Sequence, residues 1–227
     1  MRRLILFDID GTLVRGGPAK TAFLGAMSET YGTVGDPESV SFGGKTDPQI
    51  AREILTGAGL DRTTIDRGLP ALWDRYLERL EPALDTHPVT VLPGVRELLE
   101  QLAEMDDVAL GLVTGNIVGG AKLKLGSAKL WDHFEVGSYG SDHEERDELP
   151  TIALGRAQAR WGKTIEPRHA LIVGDTPRDI ACGRACDIRT VAVATGTYSA
   201  AALDAAGADH VLDDLSPTER VLALLTA

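Results

Sequence analysis

The sequence predicts an α/β fold, a doubly wound, Rossmann-like parallel sheet with an inserted helical cap domain. Three observations carry this. Short runs rich in Val, Ile and Leu recur without polar alternation, as in strands covered on both faces. Segments with helical periodicity separate most of them. One long stretch, from the end of the first run to Val108, holds helical patterns only.

The expected strands are Leu4–Phe7, Val108–Val113, Leu171–Val173, Thr190–Val193 and His210–Leu212. Residues 94–105 place Val95, Leu98, Leu99 and Leu102 on one helical face behind a Pro93-Gly94 start, and 151–161 and 218–225 behave alike. Helical patterns near 19–31, 48–58 and 63–80 fill the exceptional stretch. They imply a cap over residues 15–86 and a core built from 1–14 and 87–227, with Pro82, Pro88 and Pro93 in the return hinge. In such a sheet ligands bind at the carboxyl ends of the strands.

The chain has 227 residues and is 43% apolar, enough for a sizeable core. Its 34 acidic residues against 23 basic give a net charge of −11. That balance repels polyanions, so neither nucleic acid nor an anionic membrane surface is an expected partner. No apolar run approaches the length of about 18 residues that a span requires, and the expected location is cytoplasmic, as a monomer or homodimer. Cys182 and Cys186, four residues apart with no other ligand nearby, read as small buried residues rather than a metal or redox site.

The strand ends carry the chemistry. The first run passes straight into Asp8, Asp10 and Gly11. On an extended chain the two carboxylates would share a face about 7 Å apart, either as solvated turn residues or as a nucleophile beside a general acid/base. A later run, LIVG, ends in Asp175, followed by Thr176, Pro177 and Asp179 at a helix start. Asp179 fits a capping box with Thr176, whereas Asp175 stands before the cap. Carboxylates gathered at neighbouring strand ends repel one another unless a cation sits among them, and oxygen ligands suit Mg²⁺. A third run ends in Thr114-Gly115-Asn116 ahead of a helix bearing Lys122 and Lys124, where a hydroxyl and free amides can hold an anion.

Asp8-Ile9-Asp10-Gly11-Thr12, Thr114-Gly115-Asn116 and Gly174-Asp175 with Asp179 resemble the haloacid dehalogenase superfamily. The insertion resembles the helical cap of its phosphoglycolate phosphatase-like and β-phosphoglucomutase-like branches. The resemblance implies a Mg²⁺-dependent phosphatase of small phosphate esters, phosphoglycolate-like or sugar phosphates. Asp8 would be the nucleophile that forms an aspartyl-phosphate, and Asp10 the acid and then the base. Asp8, the Asp10 carbonyl, Asp175 and Asp179 would hold Mg²⁺, while Thr114, Gly115 and Asn116 hold the phosphoryl group and Gly11 lets the chain turn over it. The paired roles imply an ionised Asp8 and a protonated Asp10 when substrate is bound.

Relatives of this type usually carry a Lys-Pro pair where this chain reads EERDELP. Arg146 stands in the lysine's place, with Lys122 the other candidate. In the cap, SFGGKTDPQI (41–50) offers Lys45 or Thr46 to the leaving group. A mutase, a metal-independent dehalogenase and a phosphoacceptor signalling module are the rival readings. Asp10 and Asp175 speak against the dehalogenase, and the position of Asp8 on the first strand speaks against the module.

Overall fold

The computed structural model describes residues 3–227. Six parallel strands form its main sheet: β1 (Arg3–Phe7), β4 (Val108–Thr114), β5 (Val136–Tyr139), β6 (Ala170–Gly174), β7 (Arg189–Val193) and β8 (His210–Leu212), in the order β5-β4-β1-β6-β7-β8. Every residue of β4 and β6 is buried, which is why neither strand alternates. β1 lies between β4 and β6, with Phe7 in register with Leu112 and Val173. The chain fills one side of β1 and then returns to fill the other. The carboxyl ends of β1, β4 and β6 therefore meet at the switch point where such sheets bind ligands.

Helices cover the faces: α4 (Val95–Ala103), α5 (Val118–Ser127), α6 (Leu149–Trp161), α7 (Pro177–Ala185), α8 (Ala200–Ala205) and α9 (Thr218–Thr226). Between β2 (Val14–Arg15) and β3 (Thr90–Val91), which pair antiparallel, lie α1 (Ala19–Tyr31), α2 (Asp47–Gly57) and α3 (Arg62–Thr86). This small ribbon brings the outgoing and returning chains side by side. One apolar cluster runs from Phe7 in β1 through Met27 in α1 and Ile54 in α2 to Leu72 in α3, so the inserted helices share the core's packing.

Two expectations change. Pro82 lies inside α3, not in the return hinge. The missing backbone donor costs one hydrogen bond, but Leu80 and Leu84 on either side are buried and hold the last turns. β5 has only four residues, including Gly137 and Ser138, and left no apolar run to see. Cys182 is buried, Cys186 is partly so, and both are free thiols. Among the described residues no helix is long and apolar enough to cross a membrane.

Candidate active site

Asp8 follows β1 directly, and its amide donates to Val173 O at 2.9 Å, extending the ladder by one residue. Its side chain is therefore fixed between β4 and β6. The chain then turns on itself: Leu13 and Val14 amides donate to Ile9 O at 2.9 and 3.0 Å. Gly11 makes the turn at φ +87°, and any Cβ there would run into the Asp175 carboxylate. A side chain at this position would strain the backbone and displace Asp175. Gly11 thus makes the turn beside Asp175, and it is not among the residues that line the cavity.

Asp8, Asp175 and Asp179 each present a carboxylate oxygen within 4.8 Å of one another, all buried. Arg146 is the cation among them. It is 4% exposed, its Nη2 lies 3.0 Å from Asp8 Oδ1, and it forms a second ion pair with Asp179. Asp179 also closes the N-terminus of α7: its Oδ2 accepts from the Thr176 amide at 3.0 Å and from the Thr176 hydroxyl at 2.7 Å. The expected capping box and the expected acidic cluster are thus one residue doing both. One guanidinium does not balance three carboxylates. Burial, with repulsion from Asp8 and Asp179, pushes Asp175 up to about 8, although Arg146 and a bond from the Thr12 hydroxyl oppose it. Burial likewise raises Asp8 to about 6 against the pull of Arg146. An all-oxygen set short of positive charge fits a hard divalent cation.

Asp10 sits apart from that cluster. It lines a cavity of about 340 Å³, and its carboxylate accepts from Lys124 Nζ at 2.9 and 2.7 Å and from Asn116 Nδ2 at 2.7 Å. Burial alone would raise Asp10, but the ammonium and the two donors outweigh it and hold the carboxyl below its ordinary range. Asp10 is thus held below Asp8, which is raised to about 6. The physical cause is Lys124.

Thr114, the last residue of β4, is fully buried. Its hydroxyl accepts from the Asn116 amide at 3.3 Å and from Asn116 Nδ2 at 2.9 Å. Asn116 Oδ1 in turn accepts from Lys124 at 2.7 Å. The inserted segment closes over this loop. The Asp47 amide donates to Gly115 O at 2.7 Å, and the Ile117 amide donates to Asp47 Oδ2 at 2.8 Å. A Cβ on Gly115 would collide with the backbone of Lys45, so glycine is required for this seat.

Two further expectations are corrected. Lys122 is exposed and lies in a groove between α3 and α5, away from the carboxylates. Thr46 is fully buried, caps α2 and donates to Glu144 O at 2.7 Å, so its hydroxyl is spent outside the cavity. Lys45 does line the cavity but is ion-paired with Glu53.

The family model described as haloacid dehalogenase-like hydrolase matches residues 5–193, most of the chain and all of the residues just described. The chain belongs to the haloacid dehalogenase-like hydrolases. Among relatives, it is 28% identical over 225 residues to a phosphoglycolate phosphatase of Pseudomonas syringae pv. tomato, covering 94% of this chain and 77% of that one. It is 24% identical over 220 residues to the pyrophosphatase PpaX of Oceanobacillus iheyensis, covering 94% and 93%. Its fold matches the structure of CbbY from Rhodobacter sphaeroides in complex with phosphate at a TM-score of 0.68 and 18% identity, over 96% of both chains.

In this hydrolase the residues that sequence reasoning left unassigned are Lys124, Asp47 and Tyr76. For Lys124 a signal existed. Ile117, Ala121 and Ala128 are buried, and Lys124, seven and three residues after the first two and four before the last, shares their face while Lys122 points away. Asp47 reads in sequence as an ordinary first-turn acid, and Tyr76 as one more apolar position of α3.

Proposed function

We propose that the chain is a Mg²⁺-dependent phosphatase of small phosphoric monoesters that works through an aspartyl-phosphate on Asp8, with residues 15–86 as the cap over a core of 1–14 and 87–227. The observation that carries this reading is the pairing of buried Asp8 and Arg146 within one cluster with Asp175 and Asp179, at the mouth of a cavity also lined by Asp10 and Thr114. Family membership and phosphatase relatives support the hydrolysis of phosphate esters.

Asp8 is fixed to attack phosphorus, breaking the bond to the leaving alcohol. Arg146 neutralises both the nucleophile and the incoming phosphoryl oxygens. The Thr114 hydroxyl and the amides of the 114–116 loop receive the transferring group. Asp10 protonates the departing oxygen and then, as a carboxylate, takes a proton from the water that attacks the acyl phosphate. Free phosphate leaves and Asp8 is regenerated. Asp8, the Asp10 carbonyl, Asp175 and, directly or through water, Asp179 are the residues that would hold Mg²⁺, which when bound supplies charge to both Asp8 and the phosphoryl oxygens.

Release of inorganic phosphate from an aryl phosphate tests the reading. Activity should vanish with chelator and return with Mg²⁺. Full turnover after exhaustive chelation would remove the metal from the scheme and revive the dehalogenase-like alternative.

A further inference from the structure

The cavity is also lined by residues that the phosphoryl chemistry does not use. Its wall on the α1–α3 side is aromatic. Phe23 and Phe42 line it edge to face with centroids 6.4 Å apart, and Tyr76 packs edge-on to Phe23 at 5.6 Å. Four cations line the cavity, and each already has a carboxylate: Lys20 with Glu38, Lys45 with Glu53, Lys124 with Asp10, and Arg146 with Asp8 and Asp179. Of these pairs only Lys20–Glu38 is largely exposed, whereas Lys124 and Arg146 are buried.

Two polar groups of this lining remain under-used. Asp47 lines the cavity, takes part in no ion pair among the described residues, and accepts only the Ile117 amide through Oδ2. Tyr76 lines the same cavity, and its hydroxyl makes no hydrogen bond among the described residues. Burial raises the phenol well above its ordinary value, so it stays a donor. A carboxylate oxygen, a phenolic hydroxyl and aromatic faces suit an alcohol whose own hydroxyls can donate to the first and accept from the second. They suit less well a leaving group that ends in a carboxylate, which would meet the Asp47 carboxylate in the same cavity.

We infer that Asp47 and Tyr76 form a leaving-group subsite that selects a neutral, hydroxyl-rich alcohol, a sugar or polyol monophosphate, and disfavours phosphoglycolate. This rests on the phosphatase reading and goes beyond it, because a relative named for phosphoglycolate points the other way.

The experiment compares kcat/KM for pentose and hexose monophosphates with that for phosphoglycolate, with an aryl phosphate as reference and Mg²⁺ present throughout. Wild-type protein should favour the sugar phosphates by about tenfold or more, and Tyr76→Phe and Asp47→Asn should each reduce that ratio by about tenfold, chiefly through KM for the sugar phosphates. Asp47→Asn should in addition raise kcat/KM for phosphoglycolate. Asparagine keeps an acceptor for the Ile117 amide, and phenylalanine keeps the ring packing. If Asp47→Asn fails to fold, Tyr76→Phe decides alone. A wild-type preference for phosphoglycolate, or a ratio that neither variant moves, overturns the subsite while the phosphatase reading stands. Absence of turnover on every ester, aryl phosphate included, removes both.

Discussion

Asp8 and Asp10 leave the same strand two residues apart and end in opposite electrostatic settings. Asp8 is walled in, shares its one guanidinium with Asp179, and is pushed up to about 6 by burial. Asp10 keeps 46% of its side chain open yet is ion-paired with Lys124 and accepts a bond from Asn116, which together hold it low. The first carboxylate is short of positive charge and the second is matched by a cation. On the proposed roles, an anionic nucleophile Asp8 and a protonated acid Asp10 call for the opposite order of pKa values. The order turns over when positive charge is added beside Asp8 and negative charge beside Lys124. A divalent cation and a phosphate ester bring those two charges.

The sharpest way to break this comparison is to remove each carboxylate. Asp8→Asn should cost about 10³-fold or more in turnover, the scale for losing a covalent nucleophile, and should abolish any borohydride-trappable acyl phosphate. Asp10→Asn should slow alkyl esters far more than aryl esters, whose leaving oxygen needs little protonation, and should let labelled Asp8 accumulate. Label on another residue, or equal slowing of the two ester types, would overturn the division of labour.

Next in size are the two cations. Arg146→Ala should lower kcat by about 10²-fold, as for other lost charge-stabilising groups. It should also destabilise the fold by about 3 kcal/mol, because Asp8 and Asp179 would be left buried without their partner. Lys124→Ala frees Asp10 without stranding a buried charge, so a loss of about tenfold is expected, together with a pH–rate profile displaced to higher pH as Asp10 rises. Lys122→Ala, on the exposed side of α5, should stay within about twofold on the same assay. A crippling Lys122 variant would return the role of the relatives' lysine to the outer face of that helix.

Much of this was legible before any coordinates. Buried parallel strands advertise themselves because neither face tolerates polar residues, so the β1, β4 and β6 runs, and with them Asp8, Thr114 and Asp175, could be placed from pattern alone. β5 could not, because four edge residues with a glycine bury too little apolar surface to leave a trace. The hidden part of the site is the part built by tertiary approach. Lys45 and Thr46 sit in the right cap loop, yet one is ion-paired with Glu53 and the other buried as a cap. Their neighbour Asp47, which sequence marks only as a helix-start acid, reaches both the 114–117 loop and the cavity. Which residue of a loop faces a site depends on how the loop is seated, and Gly115 against Lys45 is a contact between segments some seventy residues apart.

The smallest effect, and the one closest to the electrostatics, concerns Asp175 and stability. Its folded-state pKa of about 8 lies above the ordinary carboxylate value of 3.8. Between those values the folded protein holds a proton on Asp175 that the unfolded chain has lost. Stability of the metal-free protein should therefore be fullest below about pH 4 for this group and should fall as pH rises towards about 8. Asp175→Asn removes the titration. The variant should gain on wild type as pH rises from about 4 to about 8, with a Tm that climbs relative to wild type across that window. Added Mg²⁺ should reverse the ranking, because the wild type gains binding energy that the variant lacks a ligand to collect. Thermal melts at several pH values with chelator or Mg²⁺ would check both arms. Parallel curves without metal would mean that Arg146 already balances Asp175. A wild type indifferent to Mg²⁺ would mean that the carboxylates beside Asp8 are an ion-pair network with Arg146 and not a cation site.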